Sequence, residues 1–105
     1  MKHEYKIYQL DANNENVRLD GKLFKDWDML NRTCGFCFNW EYKLVWEDGI
    51  EVDENVSSEE ILDDLFFIFN QNHPKNYYGR SMSVSDVVEL DGIKYYCDSF
   101  GWVKI

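Results

Sequence analysis

Two cysteines separated by two residues have the spacing most typical of a metal site in this sequence. Cys34 and Cys37 form a Cys-x-x-Cys pair, which is the first half of many structural zinc sites. A closed zinc site needs four ligands; Cys97 would be the third, and of the two histidines, His3 and His73, His73 is the better candidate for the fourth in a Cys3His set. The spacing is therefore compatible with zinc bound by these four residues. The alternative is three ordinary thiols, with Cys97 in the core.

The same cysteine pair is poorly placed for redox catalysis. A reactive thiol needs a helix N-terminus or a nearby cation that favours the thiolate. Phe36 and Phe38 crowd the pair in sequence, and Arg32 is the only nearby basic residue. The odd number of cysteines also argues against a disulfide framework. A reducing, cytoplasmic location is expected.

No residue pattern indicates an enzyme. Ser81, Ser83 and Ser85 lack the glycines of a nucleophile elbow, and the chain has no phosphate-binding loop. Asp63 and Asp64 would act as an acid and base pair only within a cleft. We therefore expect a non-enzymatic protein.

The acidic residues are concentrated in one part of the chain. The 105 residues include 20 Asp and Glu against 11 Lys and Arg, for a net charge of −9. No Lys or Arg lies between Lys43 and Lys75, and that interval contains nine carboxylates. These are Glu47, Asp48, Glu51, Asp53, Glu54, Glu59, Glu60, Asp63 and Asp64. The helix macrodipole explains only Glu59 and Glu60. We therefore interpret the run as a candidate partner-binding surface, with a merely solvated loop and helix face as the alternative.

Apolar periodicity predicts a single α+β domain spanning residues 1–105, with a mostly antiparallel sheet and two helices. Its order is β-α-β-α-β-β-β. The predicted elements are strands at 4–10, 40–47, 82–90, 93–97 and 99–105, and helices at 23–30 and 57–70. No stretch is apolar and long enough to span a membrane.

Local signals set the expected boundaries of these elements. Asp20 is a plausible cap for the first helix, and Ser57 with Glu60 fits a capping box before the second. Asp48-Gly49 predicts a turn after the second strand, and Asp91-Gly92 predicts a two-residue hairpin. Residues 13–16 and 31–39 are expected to be irregular. Ser81, Ser83 and Ser85 are expected to form a hydroxyl row on one strand face.

The C-terminal third resembles a known family. The run from Tyr78 to Val88 (YGRSMSVSDVV) and the run from Tyr95 to Trp102 (YYCDSFGW) are similar to the C-terminal signature of the YodL-like family, which comprises small domains of Firmicutes and their mobile elements. Weaker similarity covers 7–10, 42–46 and 68–70. The resemblance implies an accessory protein of phages, plasmids or conjugative elements. It brings no catalytic residue, and the family pattern lacks the Cys34/Cys37 pair.

Charge and resemblance together predict an anti-CRISPR-type inhibitor. Its acidic run would occupy a basic surface of a host defence protein, with a type II CRISPR effector nuclease as the best-motivated target, and block the loading of target DNA. Direct binding of the protein to nucleic acid is disfavoured by its net charge. The alternative is a zinc-stabilised adaptor, in which the acidic run only keeps the domain soluble.

Overall fold

The computed structural model describes residues 1–105 and contains five strands and four helices. In chain order they are β1 (Lys2–Leu10), α1 (Glu15–Leu19), α2 (Trp27–Thr33), α3 (Phe38–Glu41), β2 (Tyr42–Glu51), α4 (Ser58–Gln71), β3 (Val87–Leu90), β4 (Ile93–Cys97) and β5 (Trp102–Lys104). The strands form one antiparallel sheet in the spatial order β2-β1-β3-β4-β5. The predicted α+β class with a mostly antiparallel sheet is confirmed.

The long first strand organises the sheet. β1 pairs with β2 along its whole length and with β3 over residues 5–8, so Tyr5 lies opposite both Asp48 and Leu90. The register with β2 shifts between Ile7 and Tyr8, as expected for a β-bulge. β2 and β5 are left as the two edge strands.

One face of the sheet is covered by α4. This helix begins after Ser57, whose hydroxyl accepts a hydrogen bond from the Glu60 amide at 3.2 Å, so the predicted N-cap is confirmed; the Glu60 carboxylate accepts from the Ser57 hydroxyl at 3.3 Å. Its buried stripe packs against buried residues of β1 and β3, and burial of each large side chain contributes about 1.5–3 kcal/mol. The stripe consists of Ile61, Leu62, Leu65 and Phe69. α4 ends at Gln71, close to the predicted end.

The other face is covered by an aromatic cluster from the segment between β1 and β2. Leu30 of α2 packs with Val87 and Tyr96 of the sheet. The Trp27 ring lies 4.9 Å from the Tyr96 ring, measured between centroids, and the Phe38 ring stacks on Tyr42 at 5.5 Å. The cluster accounts for much of the aromatic content of the first half of the chain. The sheet is therefore buried on both faces.

The first half of the chain has more helices than predicted. The predicted helix at 23–30 starts later, at Trp27, where the Asp26 carboxylate accepts a hydrogen bond from the Met29 amide at 2.8 Å. Asp20 is not its cap but ends α1, a short helix whose first two residues belong to the stretch predicted to be irregular. Phe24 has a φ of 68°, which breaks the helical path before Trp27. None of the helices has the length and apolar character needed to cross a bilayer.

The two Asp-Gly pairs behave differently. Asp91 and Gly92 have φ values of 50° and 85°, so the predicted hairpin between β3 and β4 is confirmed. The turn predicted at Asp48-Gly49 is wrong, because both residues lie within β2 and pair with Tyr5 and Glu4. Continuous pairing with a long neighbouring strand outweighs the local turn preference.

Candidate functional site

The nine carboxylates between residues 47 and 64 form the acidic edge of the molecule. They lie on the second half of the edge strand β2, on the turn at 53–56 and on the first two turns of α4. All nine are exposed; they are Glu47, Asp48, Glu51, Asp53, Glu54, Glu59, Glu60, Asp63 and Asp64. The residues singled out from the sequence thus all lie exposed on one chain segment, with Glu47 and Asp48 on opposite faces of the edge strand.

The carboxylates of the acidic edge form almost no ion pairs. Only Glu51 forms an ion pair, with the α-amino group of Met1 at 3.0 Å. Lys6 lies opposite Glu47 in the sheet register, but its ammonium pairs with Glu89 at 3.9 Å. Asp63 accepts a hydrogen bond from the Trp102 indole at 3.0 Å. The negative potential of this edge is therefore free to act on charges outside the molecule.

The outer face of α4 adds apolar surface to the acidic edge. Phe67 is 63% exposed and Phe66 is 37% exposed, although both are large aromatic side chains. They follow Asp63 and Asp64 at a spacing of three or four residues, which places them on the same side of the helix. Neither residue is among the candidate binding residues predicted from the sequence, which are all carboxylates. Exposed aromatics beside charged groups are typical of protein interfaces.

The run from Tyr78 to Val88, which resembles the family signature, forms buried hydrogen bonds with the end of β1. We call this set of hydrogen bonds the signature network. The Gln9 amide donates to the Arg80 carbonyl at 2.9 Å and accepts from the Arg80 amide at 3.0 Å. The Asp86 carboxylate accepts from Gln9 at 3.1 Å and from the Ser83 amide at 3.0 Å. Tyr77 donates its hydroxyl to the Arg80 carbonyl at 2.5 Å. The run therefore has a structural role in positioning the chain between α4 and β3.

Burial raises the pKa values of ionisable side chains in and beside the signature network. Desolvation raises the pKa of Asp86 to about 7, against the opposing hydrogen bonds from Ser83 and Gln9. Burial also raises the pKa of Tyr77 to about 12 and raises that of Tyr42, whose hydroxyl donates to the Ser85 carbonyl at 2.6 Å. The Asp86 carboxyl is thus neutral in a substantial fraction of molecules near pH 7.

The strand predicted at 82–90 is wrong over its first five residues. Asp86 donates its amide to the Ser83 carbonyl at 3.1 Å, which closes a turn, and Ser85 has a φ of 88°. Ser85 is buried, and its hydroxyl accepts from the Phe24 amide at 3.1 Å. The expected row of serine hydroxyls on a strand face therefore does not form, because the turn at 83–86 and the positive φ of Ser85 interrupt the extended backbone.

The proposed zinc ligands are not brought together. Cys34 packs with the aromatic cluster on one face of the sheet, whereas Cys97 of β4 lies beside Asp63 and Trp102 on the α4 face. His73 is exposed after α4, and its ring bonds to the Pro74 carbonyl. No three His, Cys, Asp or Glu side chains are grouped so that they could hold a metal ion.

Cys97 is a buried thiol of the core. Burial, with Asp86, Asp98 and Asp63 nearby, raises the pKa of the Cys97 thiol to about 12. This position agrees with the alternative of an ordinary thiol in the core. The Cys3His set of Cys34, Cys37, Cys97 and His73 is therefore not supported by the geometry. Cys37 instead precedes α3, at its N-cap position.

A buried ion pair that was not predicted from the sequence links the loop after α1 to α3. The Lys22 ammonium lies 2.7 and 2.9 Å from the two carboxylate oxygens of Glu41. The side chains are only 5% and 4% exposed. No pattern in the sequence marks either residue. The two are 19 positions apart, and both Lys and Glu are residue types that usually lie on the surface.

Comparison with known proteins gives one match. The family model for the YodL-like domain matches residues 4–105. No curated protein and no solved structure matches the chain. The match covers all nine elements of secondary structure apart from the first two residues of β1, and it includes both the acidic edge and the signature network.

Proposed function

This chain belongs to the YodL-like domain family, and we propose that it is a small, non-enzymatic inhibitor that binds a basic, nucleic-acid-binding surface of a partner protein through its acidic edge. The observation that carries the proposal is the set of nine exposed carboxylates of which only Glu51 forms an ion pair. Such a surface offers negative charge where a basic protein surface would otherwise meet phosphates.

The charge arrangement favours a protein partner over nucleic acid. A net charge of −9 repels the phosphate backbone, and the acidic edge concentrates that charge on one segment. Complementary charges accelerate association and select the orientation of the partner. The acidic edge would therefore be attracted to a basic channel over distances of about one Debye length, roughly 8 Å at physiological salt.

The exposed aromatic side chains of α4 would supply apolar contact area, which charged groups alone do not provide. Phe66 and Phe67 present apolar surface next to Asp63 and Asp64. Buried aromatic anchors dominate the binding energy of many interfaces, whereas exposed rim charges contribute mainly to association rate. In this proposal Phe67 enters a pocket of the partner, and the carboxylates pair with surrounding Lys and Arg side chains.

The inhibitory step is steric and electrostatic. A type II CRISPR effector nuclease holds its RNA–DNA heteroduplex in a positively charged channel, so an acidic protein seated there would prevent the loading of target DNA. This target fits a counter-defence protein encoded by a phage or mobile element. The mechanism involves no covalent chemistry and requires no cofactor.

The test is a titration of the protein into target-DNA loading by a guide-bound type II CRISPR effector nuclease, at low and moderate salt. The edge variant Asp53→Asn/Glu54→Gln/Asp64→Asn removes three charges from the acidic edge. Its matched control is Glu15→Gln/Asp20→Asn/Asp28→Asn, which removes three exposed charges elsewhere. We expect near-stoichiometric inhibition by the native and control proteins, weaker inhibition by the edge variant, and loss of inhibition as salt rises.

Two results would contradict the proposal at different levels. If the native protein does not inhibit DNA loading at large excess, this target is wrong, and recovery of bound partners from host cells with native and edge-variant protein becomes the next comparison. If edge and control variants behave identically against every partner recovered, the acidic edge has no binding role. In that case it serves only to keep the domain soluble.

A further inference from the structure

A second region of the surface has the opposite charge. A depression of about 340 Å³ lies between β2 and the loop after α4. Its main lining residues are Lys43, Leu44, Asn76, Tyr78, Gly79 and Arg80. No carboxylate lines it, although the chain has 20 acidic residues, and two of its 11 Lys and Arg residues do. The volume is within the range that small-molecule sites occupy, roughly 300–1,000 Å³.

Both cations of the depression have unused hydrogen-bonding capacity. The Arg80 guanidinium donates from Nη2 to the Leu10 carbonyl at 2.8 Å, but its buried Nε has no hydrogen-bond partner, and no carboxylate lies within 4.0 Å. Lys43 has only a long contact of 4.0 Å with Asp11. Neither cation therefore has a close carboxylate partner within the protein.

The remaining lining residues suit an organic body attached to an anion. Tyr78 is 92% exposed, and Leu44 beside it is about half exposed. Asn76 is exposed, so its side-chain amide is accessible to a ligand. The Gly79 backbone lies directly against the buried Tyr77 ring, because a Cβ at Gly79 would overlap that ring. Apolar surface with a few convergent polar groups is the usual composition of a ligand site.

We propose that this depression binds a small organic anion, with its phosphate or carboxylate group between Lys43 and Arg80 and its apolar or aromatic body against Tyr78 and Leu44. Arg80 holds the anion with its planar guanidinium, which matches carboxylate and phosphate geometry, and Lys43 acts as a point charge. The site is separate from the acidic edge. It also gives the exposed start of the family signature, Tyr78-Gly79-Arg80, a role besides packing.

The site can be tested by amide chemical-shift titration of the full chain with matched pairs of ligands. The anions are adenosine monophosphate and benzoate, and their neutral counterparts are adenosine and benzamide. We expect at least one anion to cause saturable shifts at Leu44, Gly79 and Arg80 and to bind about tenfold more tightly than its neutral counterpart, the effect of one charge-assisted contact. The proposal is overturned if neither anion binds more tightly than its neutral counterpart.

Variants locate the binding without disturbing the fold. Lys43→Gln removes one cation of the depression, and Lys104→Gln removes an exposed cation at the opposite edge of the sheet. We expect Lys43→Gln, but not Lys104→Gln, to weaken anion binding about tenfold while the thermal midpoint stays unchanged. Tyr78→Ser is expected to lower the affinity for both the anion and its neutral counterpart, so that the ratio of the two affinities stays the same. Equal weakening by Lys43→Gln and Lys104→Gln would show general charge attraction and contradict the site.

Discussion

Charged residues occupy two contrasting regions of this molecule. On the acidic edge, nine carboxylates are exposed and only Glu51 is paired with a cation. In the interior, the Asp86 carboxyl is almost completely buried and accepts hydrogen bonds from Gln9 and Ser83, and the Lys22–Glu41 ion pair is almost completely buried as well. Carboxyl groups occur in both places, and only their surroundings differ.

The difference in burial between the two regions predicts that substitutions in one affect stability and substitutions in the other affect binding. An exposed, unpaired carboxylate retains its hydration, so its removal changes folding free energy little. A buried charge loses its hydration and depends on its partner, so removal of the partner leaves it uncompensated. We therefore expect variants of the interior to change stability, and variants of the acidic edge to change partner binding.

The largest effect is expected at the buried ion pair. Glu41→Gln leaves the Lys22 ammonium buried without a carboxylate, and we expect the free energy of unfolding to fall by about 3–5 kcal/mol. Urea denaturation followed by tryptophan fluorescence measures this loss. Glu47→Gln makes the same chemical change on the acidic edge and serves as control. A similar effect of the two substitutions would remove the contrast between the regions, whereas Lys22→Met/Glu41→Leu should recover most of the loss.

A pH-dependent effect is expected at Asp86. Its pKa in the folded protein is raised to about 7 from an ordinary value of 3.8, so its stabilisation is fully present below 3.8 and is lost as pH rises through about 7. Asp86→Asn cannot ionise. Its stability relative to the native protein should therefore rise by on the order of 2–3 kcal/mol between pH 5 and pH 8. Urea denaturation at the two pH values tests this, and a difference that does not change with pH would contradict it.

A smaller effect is expected at Gln9. Its amide bonds to both backbone groups of Arg80 and to the Asp86 carboxylate, so Gln9→Ala leaves buried polar groups unsatisfied. We expect a loss of about 1–3 kcal/mol. Gln71→Ala, at the exposed end of α4, is the matched control and should change stability by less than about 0.5 kcal/mol. Comparable midpoints for the two variants would show that the signature network is dispensable for folding.

The smallest effect on stability is expected on the acidic edge. Asp53→Asn/Glu54→Gln/Asp64→Asn relieves repulsion between neighbouring carboxylates, so we expect stability to stay the same or to rise by about 0.5 kcal/mol. The gain should be larger at low salt, where screening is weak. Thermal unfolding at two salt concentrations measures it. Destabilisation of the variant at low salt would mean that these carboxylates make folding contacts.

Local patterns predicted most of the regular elements. The capping box at Ser57 and Glu60, the apolar stripe of α4 and the Asp91-Gly92 hairpin depend on residues close in the chain. The failures have a different origin. Asp48-Gly49 has the composition of a turn but lies within β2, because pairing with β1 supplies hydrogen bonds that a turn would lose.

The candidate site was predicted in part. A count of charges along the chain found every carboxylate of the acidic edge, because surface position is the default for Asp and Glu. It did not find Phe67, whose exposure depends on how α4 rotates against the sheet. Nor did it separate Cys34 from Cys97, which the sheet places on opposite faces.

The sequence by itself determined the α+β class, the ends of α4, the hairpin between β3 and β4 and the concentration of negative charge between residues 47 and 64. Periodicity, caps, turns and charge runs act over a few residues and are therefore readable along the chain. Tertiary structure alone decided that Lys22 pairs with Glu41, that Gln9 binds Arg80 and Asp86, and that Lys43 and Arg80 face one depression. These contacts join residues between 19 and 77 positions apart. Only the packing of the sheet between its two covering layers brings them within hydrogen-bonding distance or into one cavity.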